Sequence, residues 1–357
     1  MSLLFEEREE AFADLRARTH RAILGSRSSS YARRVPRPQK RYRYRLRRLS
    51  PLLAVMLVAA VAGAWVGARR STATITQAAA GPQVQIAVPV VHTIAAPKVA
   101  RERLLSAGSP VRHTFAPKLT AAAAILVDAN TGRVLWSLHG HERLHVASTT
   151  KIMTALLALK KLGPHDVVTV DSSVPRVPLV REGLRAGERV QAWKLFYSLL
   201  LYSGNDDALA LAIAAGGDKW TFIDEMNAEA RRLGLRNTHF SSPSGVVDAD
   251  NYSSAWDLAA LTRVAMRNAR FRRLVSTRIE HVSWTPPTYS KIYVNNNLLL
   301  RTYPGANGVK TGYTHKSGPC LVASATRRGV SLIAVVLDAP NMYLDAKRLL
   351  DLGFAST

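Results

Sequence analysis

A single cysteine, Cys320, occurs in 357 residues, so no disulfide can form within the chain. Acidic residues are scarce: 25 Asp+Glu stand against 49 Lys+Arg, a formal net charge of +24. That balance excludes an acidic, solvating chain and points to anionic partners such as nucleic acid, lipid head groups or wall polymers. No glycine-rich phosphate loop is present, which removes nucleotide-dependent chemistry of that type. A sustained apolar run is found once, at Leu52–Ala68, seventeen residues without a charge.

The position of the charge decides among the partners. Residues 1–50 hold fourteen Lys/Arg and five Asp/Glu, concentrated in the run from Tyr31 to Ser50. They read as a basic cytoplasmic tail, and residues 51–70 as a transmembrane signal anchor at the short end of what spans a bilayer. By the positive-inside rule everything after residue 70 is then exported. Tyrosines interleave the arginines, but topology and anionic lipids already account for the run, so no nucleic acid is expected. A cleaved signal peptide, cut near Ala78-Ala79-Ala80, is the rival reading. Residues 71–117 are rich in Ala, Val, Pro and Thr and read as a flexible linker.

From residue 118 the texture changes. Ala121–Val127 and Arg133–Leu138 flank the turn residues Asp128–Gly132 and predict a hairpin. Ser148–Leu162 is apolar at helical spacing, with lysines in its last turn and Gly163-Pro164 as a stop. Gln191–Ala215 reads as a helix broken at Ser203-Gly204, and Trp220–Leu233 and Ser254–Val275 as two more. Leu321–Ala325 and Ser331–Leu337 are apolar, β-branched strands, and Leu344–Gly353 a closing helix. Strands at both ends with helices between them predict an α+β fold, an antiparallel sheet covered by a terminal helix.

Ser148 and Lys151, three apart at a helix start, share one face. A serine becomes a nucleophile when a base takes its proton, and a neutral lysine can do so. This is the one S-x-x-K in the chain. Ser203-Gly204-Asn205 follows, a hydroxyl and an amide two apart at a helix interruption, and then Lys310-Thr311-Gly312 before the last strands. S-x-x-K, S-x-N and K-T-G in that order mark the serine acyltransferases that react with penicillin.

Residues 118–355 resemble the low-molecular-mass penicillin-binding proteins, the D-alanyl-D-alanine carboxypeptidases of the S11 peptidase type. The resemblance extends through LLLYSGNDDALALA (199–212), LGLRNTHFSSPSG (233–245), NYSSAWDLAALT (251–262) and 308–341. It implies a β-lactamase/transpeptidase-like fold with a helical subdomain, occupying residues 118–357. It further implies Ser148 as nucleophile, Lys151 as its base and Ser203 as proton relay to the leaving amine. Asn205 would hold the substrate amide, Lys310 and Thr311 would meet its terminal carboxylate, and Gly312 would let its backbone approach. The oxyanion would rest on the backbone N–H groups of Ser148 and Tyr313. The implied substrate is a peptidoglycan stem peptide ending in D-Ala-D-Ala, with β-lactams as covalent inhibitors and no cofactor or metal. Three features depart from the family pattern: Val146 where many relatives have proline, Val246-Val247-Asp248 after Gly245 where Leu-Asp is usual, and no arginine near Asp338–Asn341.

Other candidates have plainer readings. His139, His141 and His145 could bind a metal but lack suitable partners and read as a surface loop. Cys320 reads as a packed core residue, and Trp220, Trp256 and Trp284 as core or cleft walls. Three functions fit the motifs: a D,D-carboxypeptidase, a D,D-endopeptidase cutting cross-links with the same chemistry, and a catalytically inactive, membrane-tethered wall-binding protein.

Overall fold

Two apolar runs near the start of the described chain and two near its end become neighbouring strands of one sheet. The computed structural model describes residues 104–107, 117–246, 250–284 and 289–356. Strands β1 (Ser106–Ala107), β2 (Ala123–Asp128) and β3 (Arg133–Leu138) come first. A 3₁₀ turn, Ala147–Thr150, runs into helix α1 (Lys151–Lys161). A small hairpin of β4 (Val167–Thr169) and β5 (Arg189–Gln191) leads to α2 (Ala192–Tyr197), one π-helical turn (Ser198–Tyr202) and α3 (Asn205–Gly216). Helices α4 (Lys219–Arg232), α5 (Ala255–Ala265) and α6 (Ala269–Ser276) follow. A second hairpin, β6 (Ile279–Val282) with β7 (Lys291–Val294), precedes the short α7 (Leu299–Thr302). Strands β8 (Ala306–Thr314), β9 (Gly318–Arg327) and β10 (Val330–Leu337) and helix α8 (Met342–Ala355) close the chain.

The main sheet has the order β1-β3-β2-β10-β9-β8. Alternate residues of its central strands enter two cores. Ile125, Val127, Val322, Ile333 and Val335 pack with Ile152 and Met153 of α1 and Leu258 of α5. Leu126, Leu321, Leu332 and Val336 pack under Ala346, Leu349 and Leu350 of α8. Burial on both faces is why these strands read as unbroken apolar runs instead of alternating ones. Asp345, fully buried in the first turn of α8, ties that helix to the start of β2. Its carboxylate accepts from Thr120 N–H at 2.8 Å and Thr120 Oγ1 at 2.7 Å.

Several expectations are corrected. The folded part begins before residue 118: Leu104 and Leu105 are buried, and β1 pairs with Arg133 and Val134 of β3. Part of the expected linker is therefore a strand, and because β1 runs parallel to β3 the sheet is antiparallel across its other five strands only. The helix expected over Ser254–Val275 is two, because Asn268 turns its side chain onto the N–H groups of Arg270 and Phe271 and starts a new helix. The basic tail (1–50) and the apolar segment (51–70) lie outside the described residues. Among the described residues no helix is long and apolar enough to cross a membrane.

Candidate active site

The chain reaches Ser148 through a strained step. Ala147 has φ 45, left-handed for a residue with a side chain, and the carbonyl of Val146 accepts from Thr149 N–H at 3.2 Å and Thr149 Oγ1 at 2.7 Å. This turn sets the Ser148 hydroxyl at the head of α1, one turn from Lys151, where burial leaves the serine 7% and the lysine 0% exposed.

Lys151 Nζ has three polar neighbours: Ser148 Oγ at 2.8 Å, Asn205 Oδ1 at 2.8 Å and the Ser244 carbonyl at 3.1 Å. The last two can only accept. A neutral amine gives one hydrogen to each of them and keeps its lone pair for the Ser148 O–H, which is the arrangement a general base needs. The electrostatics favour that form. Burial, and then the charge of Lys310, hold the Lys151 amine well below an ordinary lysine, while Asp207 and Asp206 pull weakly the other way.

Each neighbour of Nζ is itself fixed. Asn205 opens α3 and donates from Nδ2 to the Pro178 carbonyl at 3.2 Å, which aims its Oδ1 at the lysine. The loop bearing Ser244 is pinned on two sides. Asn251 Oδ1 accepts from the N–H groups of Ser241 and Ser242, at 2.6 and 2.9 Å, and Thr154 Oγ1 donates to the Pro243 carbonyl at 2.6 Å. Ser203 caps the π-helical turn with φ 77 and its N–H on the Ser198 carbonyl. It is half-buried, and its hydroxyl makes no hydrogen bond among the described residues, so it is not drawn onto Ser148 or Lys151.

Strand β8 forms the other wall, and among the described residues it is an edge strand paired only with β9. Lys310 is 1% exposed, bonds to the Thr311 carbonyl at 3.0 Å, and is brought down by burial to about 7. Thr311 is half-buried and Tyr313 is 42% exposed. Gly312 backs directly onto the serine turn: a Cβ there would lie 3.0 Å from Ser148 N and 3.0 Å from the Val146 carbonyl. Gly312→Ala is therefore expected to push β8 off the turn and slow acylation about tenfold or more, with little change in melting temperature. Stopped-flow acylation beside a thermal melt checks this.

A serine hydroxyl beside a buried lysine amine, an amide, and a strand edge bearing a second buried lysine are the groups that acyl transfer requires. The S11 peptidase model, described as D-alanyl-D-alanine carboxypeptidase, matches residues 111–341. The chain belongs to the S11 peptidases. A Bacillus subtilis relative named D-alanyl-D-alanine carboxypeptidase DacF is 33% identical over 66% of this chain and 62% of its own. A Streptomyces D-alanyl-D-alanine carboxypeptidase is 34% identical over 71% of this chain and 94% of its own. An Escherichia coli relative, 32% identical over 65% of this chain and 77% of its own, is named D-alanyl-D-alanine endopeptidase. Among solved structures a Streptomyces DD-transpeptidase, 34% identical, superposes with a TM-score of 0.64 over 68% of this chain and 99% of that one. The chain thus spans under two thirds of the Bacillus relative and nearly all of the Streptomyces one.

Within this S11 domain the remaining candidates find their places. His141 stacks on Trp256 at 4.4 Å and His145 Nδ1 donates to the Asn251 carbonyl at 3.2 Å, so these two histidines serve different neighbours. Cys320 is fully buried in β9, its thiol pushed up to about 12 by burial. Trp284 is buried as expected, but Trp220 is 67% exposed with the Lys219 ammonium over its ring, a correction to its reading as a core or cleft wall. Sequence reasoning missed Ser244, because a residue that acts through its carbonyl leaves no mark in its side chain.

Proposed function

We propose that this S11 peptidase is a serine D,D-carboxypeptidase that removes the terminal D-alanine from peptidoglycan stem peptides through an acyl-enzyme, and that penicillin acylates the same serine. The observation that carries the proposal is the fully buried Lys151 amine, whose Nζ lies 2.8 Å from Ser148 Oγ, 2.8 Å from Asn205 Oδ1 and 3.1 Å from the Ser244 carbonyl.

The scheme follows from the placement of these groups. The substrate lies as an extended strand along the open edge of β8, its terminal carboxylate at Lys310 and Thr311. Ser148 Oγ attacks the penultimate carbonyl carbon while its proton passes to Lys151 Nζ. The negative oxygen rests on the N–H groups of Ser148 and Tyr313. The intermediate collapses, the C–N bond breaks, and the proton reaches the departing D-alanine amine by way of Ser203. Water then attacks the ester by the reverse proton route and frees the enzyme.

The peptide that donates the acyl group decides the product, since water is the acceptor in either case. Water on an uncross-linked stem gives a carboxypeptidase, and the same reaction on a cross-linked stem gives an endopeptidase. We favour the first, which is the name most of the relatives carry. The wall-binding alternative fits less well, since a protein that only binds has no use for a buried, uncharged lysine on a serine. The uncharged run Leu52–Ala68 after a basic flank favours a single-pass membrane anchor with the catalytic domain outside the cytoplasm.

Incubation with a fluorescent penicillin and peptide mapping tests the chemistry, and the label is expected on Ser148 alone. Chromatography of monomeric and cross-linked muropeptides tests the donor. Release of one D-alanine per monomer with dimers left whole is expected; cleaved dimers would establish the endopeptidase instead.

A further inference from the structure

Behind Gly204 lies a buried group of ionisable side chains that the acyl-transfer scheme does not use. Ser198 Oγ, in the π-helical turn, is 2.5 Å from Asp207 Oδ2 and 3.1 Å from Glu182 Oε2. Neither side chain reaches solvent. A hydroxyl carries one hydrogen, and an ionised carboxylate only accepts. One of the two carboxyls must therefore supply a proton, or lone pairs would face each other where no solvent can relieve them.

The surroundings identify which one. Glu182 Oε1 lies 2.6 Å from the Lys291 ammonium, in an ion pair that is not an aligned hydrogen bond. That ammonium also donates to the Glu182 carbonyl. Asp207 has no cation within ion-pair distance among the described residues. Its neighbour Asp206 is committed elsewhere, accepting from the N–H groups of Glu182, Gly183 and Leu184 at 2.8, 2.8 and 3.2 Å.

We propose that Asp207 is kept as a neutral carboxylic acid whose O–H donates to Ser198, and that this bond holds the turn bearing Ser203 and Asn205 in place against Lys151. Asp207 is thus a positioning residue, and the inference rests on the acyl-transfer reading given above. The groups facing it are Asp206 from its own helix, Glu182 from the loop before β5, Lys291 and Tyr293 from β7, and Lys151 from α1. Burial, then Asp206, then Glu182 hold its carboxyl well above the usual range, against the weaker pull of Ser198 and Lys291. A charged Asp207 would act against catalysis, since its field favours the protonated form of Lys151. The glycine between Ser203 and Asn205 follows from the same carboxyl: a Cβ on Gly204 would lie 1.8 Å from Asp207 Oδ2 and 3.0 Å from Ser198 Oγ.

Two readouts on the full chain test this. The infrared difference between wild type and Asp207→Asn at neutral pH is expected to contain the carbonyl stretch of a protonated carboxyl; its absence overturns the proposal whatever the enzyme does. Penicillin acylation supplies the second. Asp207→Asn replaces one neutral donor by another, and is expected to keep the rate within about threefold while Asp207→Ala loses about 10²-fold, the scale of a misplaced site. The acidic limb of the rate profile is expected to stay in place in Asp207→Asn. A limb moved to lower pH would show that the native carboxyl is charged, and wild-type acylation by Asp207→Ala would show that it positions nothing. The infrared band and the asparagine variant decide the matter even if the alanine variant does not fold. A wild-type protein that takes no penicillin defeats the functional reading, while the infrared band still decides this one.

Discussion

A chain carrying Ser148→Ala is expected to fold like its parent and to take no penicillin. The hydroxyl is nearly buried, and its partner is Lys151 Nζ at 2.8 Å. Removing it forfeits one hydrogen bond, about 1 kcal/mol, or roughly 2–4 °C of melting temperature for a domain of this size. The chemistry loses its only attacking atom, and peptidase activity is expected to fall about 10⁶-fold, the scale reached when another serine peptidase loses its nucleophile. Gel fluorescence after penicillin labelling reads one effect and a thermal melt the other. A labelled alanine variant would mean that another side chain carries the acyl group.

Lys151→Arg is expected to be nearly as inert, for a different reason. The guanidinium keeps its charge throughout the accessible pH range, so it cannot take the proton of Ser148. The same logic fixes the pH profile of the parent enzyme. Acylation rises from acid pH as Lys151 loses its proton, pushed down by burial and by Lys310. It falls when Lys310, near 7 in the unliganded site, loses its own. Because the two lysines repel, the limbs belong to the pair. Stability follows with the opposite partner as reference. Unfolded lysines titrate at about 10.4, so from about 7 up to that value the unfolded chain binds more protons and the folded state gains stability as pH rises. Denaturant midpoints at neutral and alkaline pH check the sign, and Lys310→Met is expected to flatten the slope. An active Lys151→Arg enzyme would show that the proton leaves Ser148 by another route.

The parts of the fold legible in the sequence are those fixed by burial on two faces. The apolar runs of β2, β9 and β10 announce themselves because both sides of each strand are covered. Strand β8 is harder to see: its Gly308-Val309-Lys310-Thr311-Gly312 mixes a charge and two glycines into an edge strand. Strand β1 is two residues long and owes its place to Gly132 and the Arg263 side chain, which meet it from distant parts of the chain. At the site, Ser148, Lys151, Asn205 and Lys310 were legible because their side chains carry the chemistry. Ser244 acts through a carbonyl and Asp207 through a proton, and neither leaves a spacing to read. Ser203 was legible as a motif, yet among the described residues its hydroxyl makes no hydrogen bond to the serine–lysine pair.

The two edges of the sheet have different fates. Strand β8 carries Lys310–Tyr313, and β1 ends the sheet on the other side. Five strand spacings of about 4.8 Å put them about 24 Å apart. Strand β1 thus lies at the edge away from the strand that bears Lys310. Force applied at β1 therefore acts on a strand that carries none of the candidate site residues. A surface attachment made through β1 is accordingly expected to leave the strand edge at Lys310–Tyr313 free.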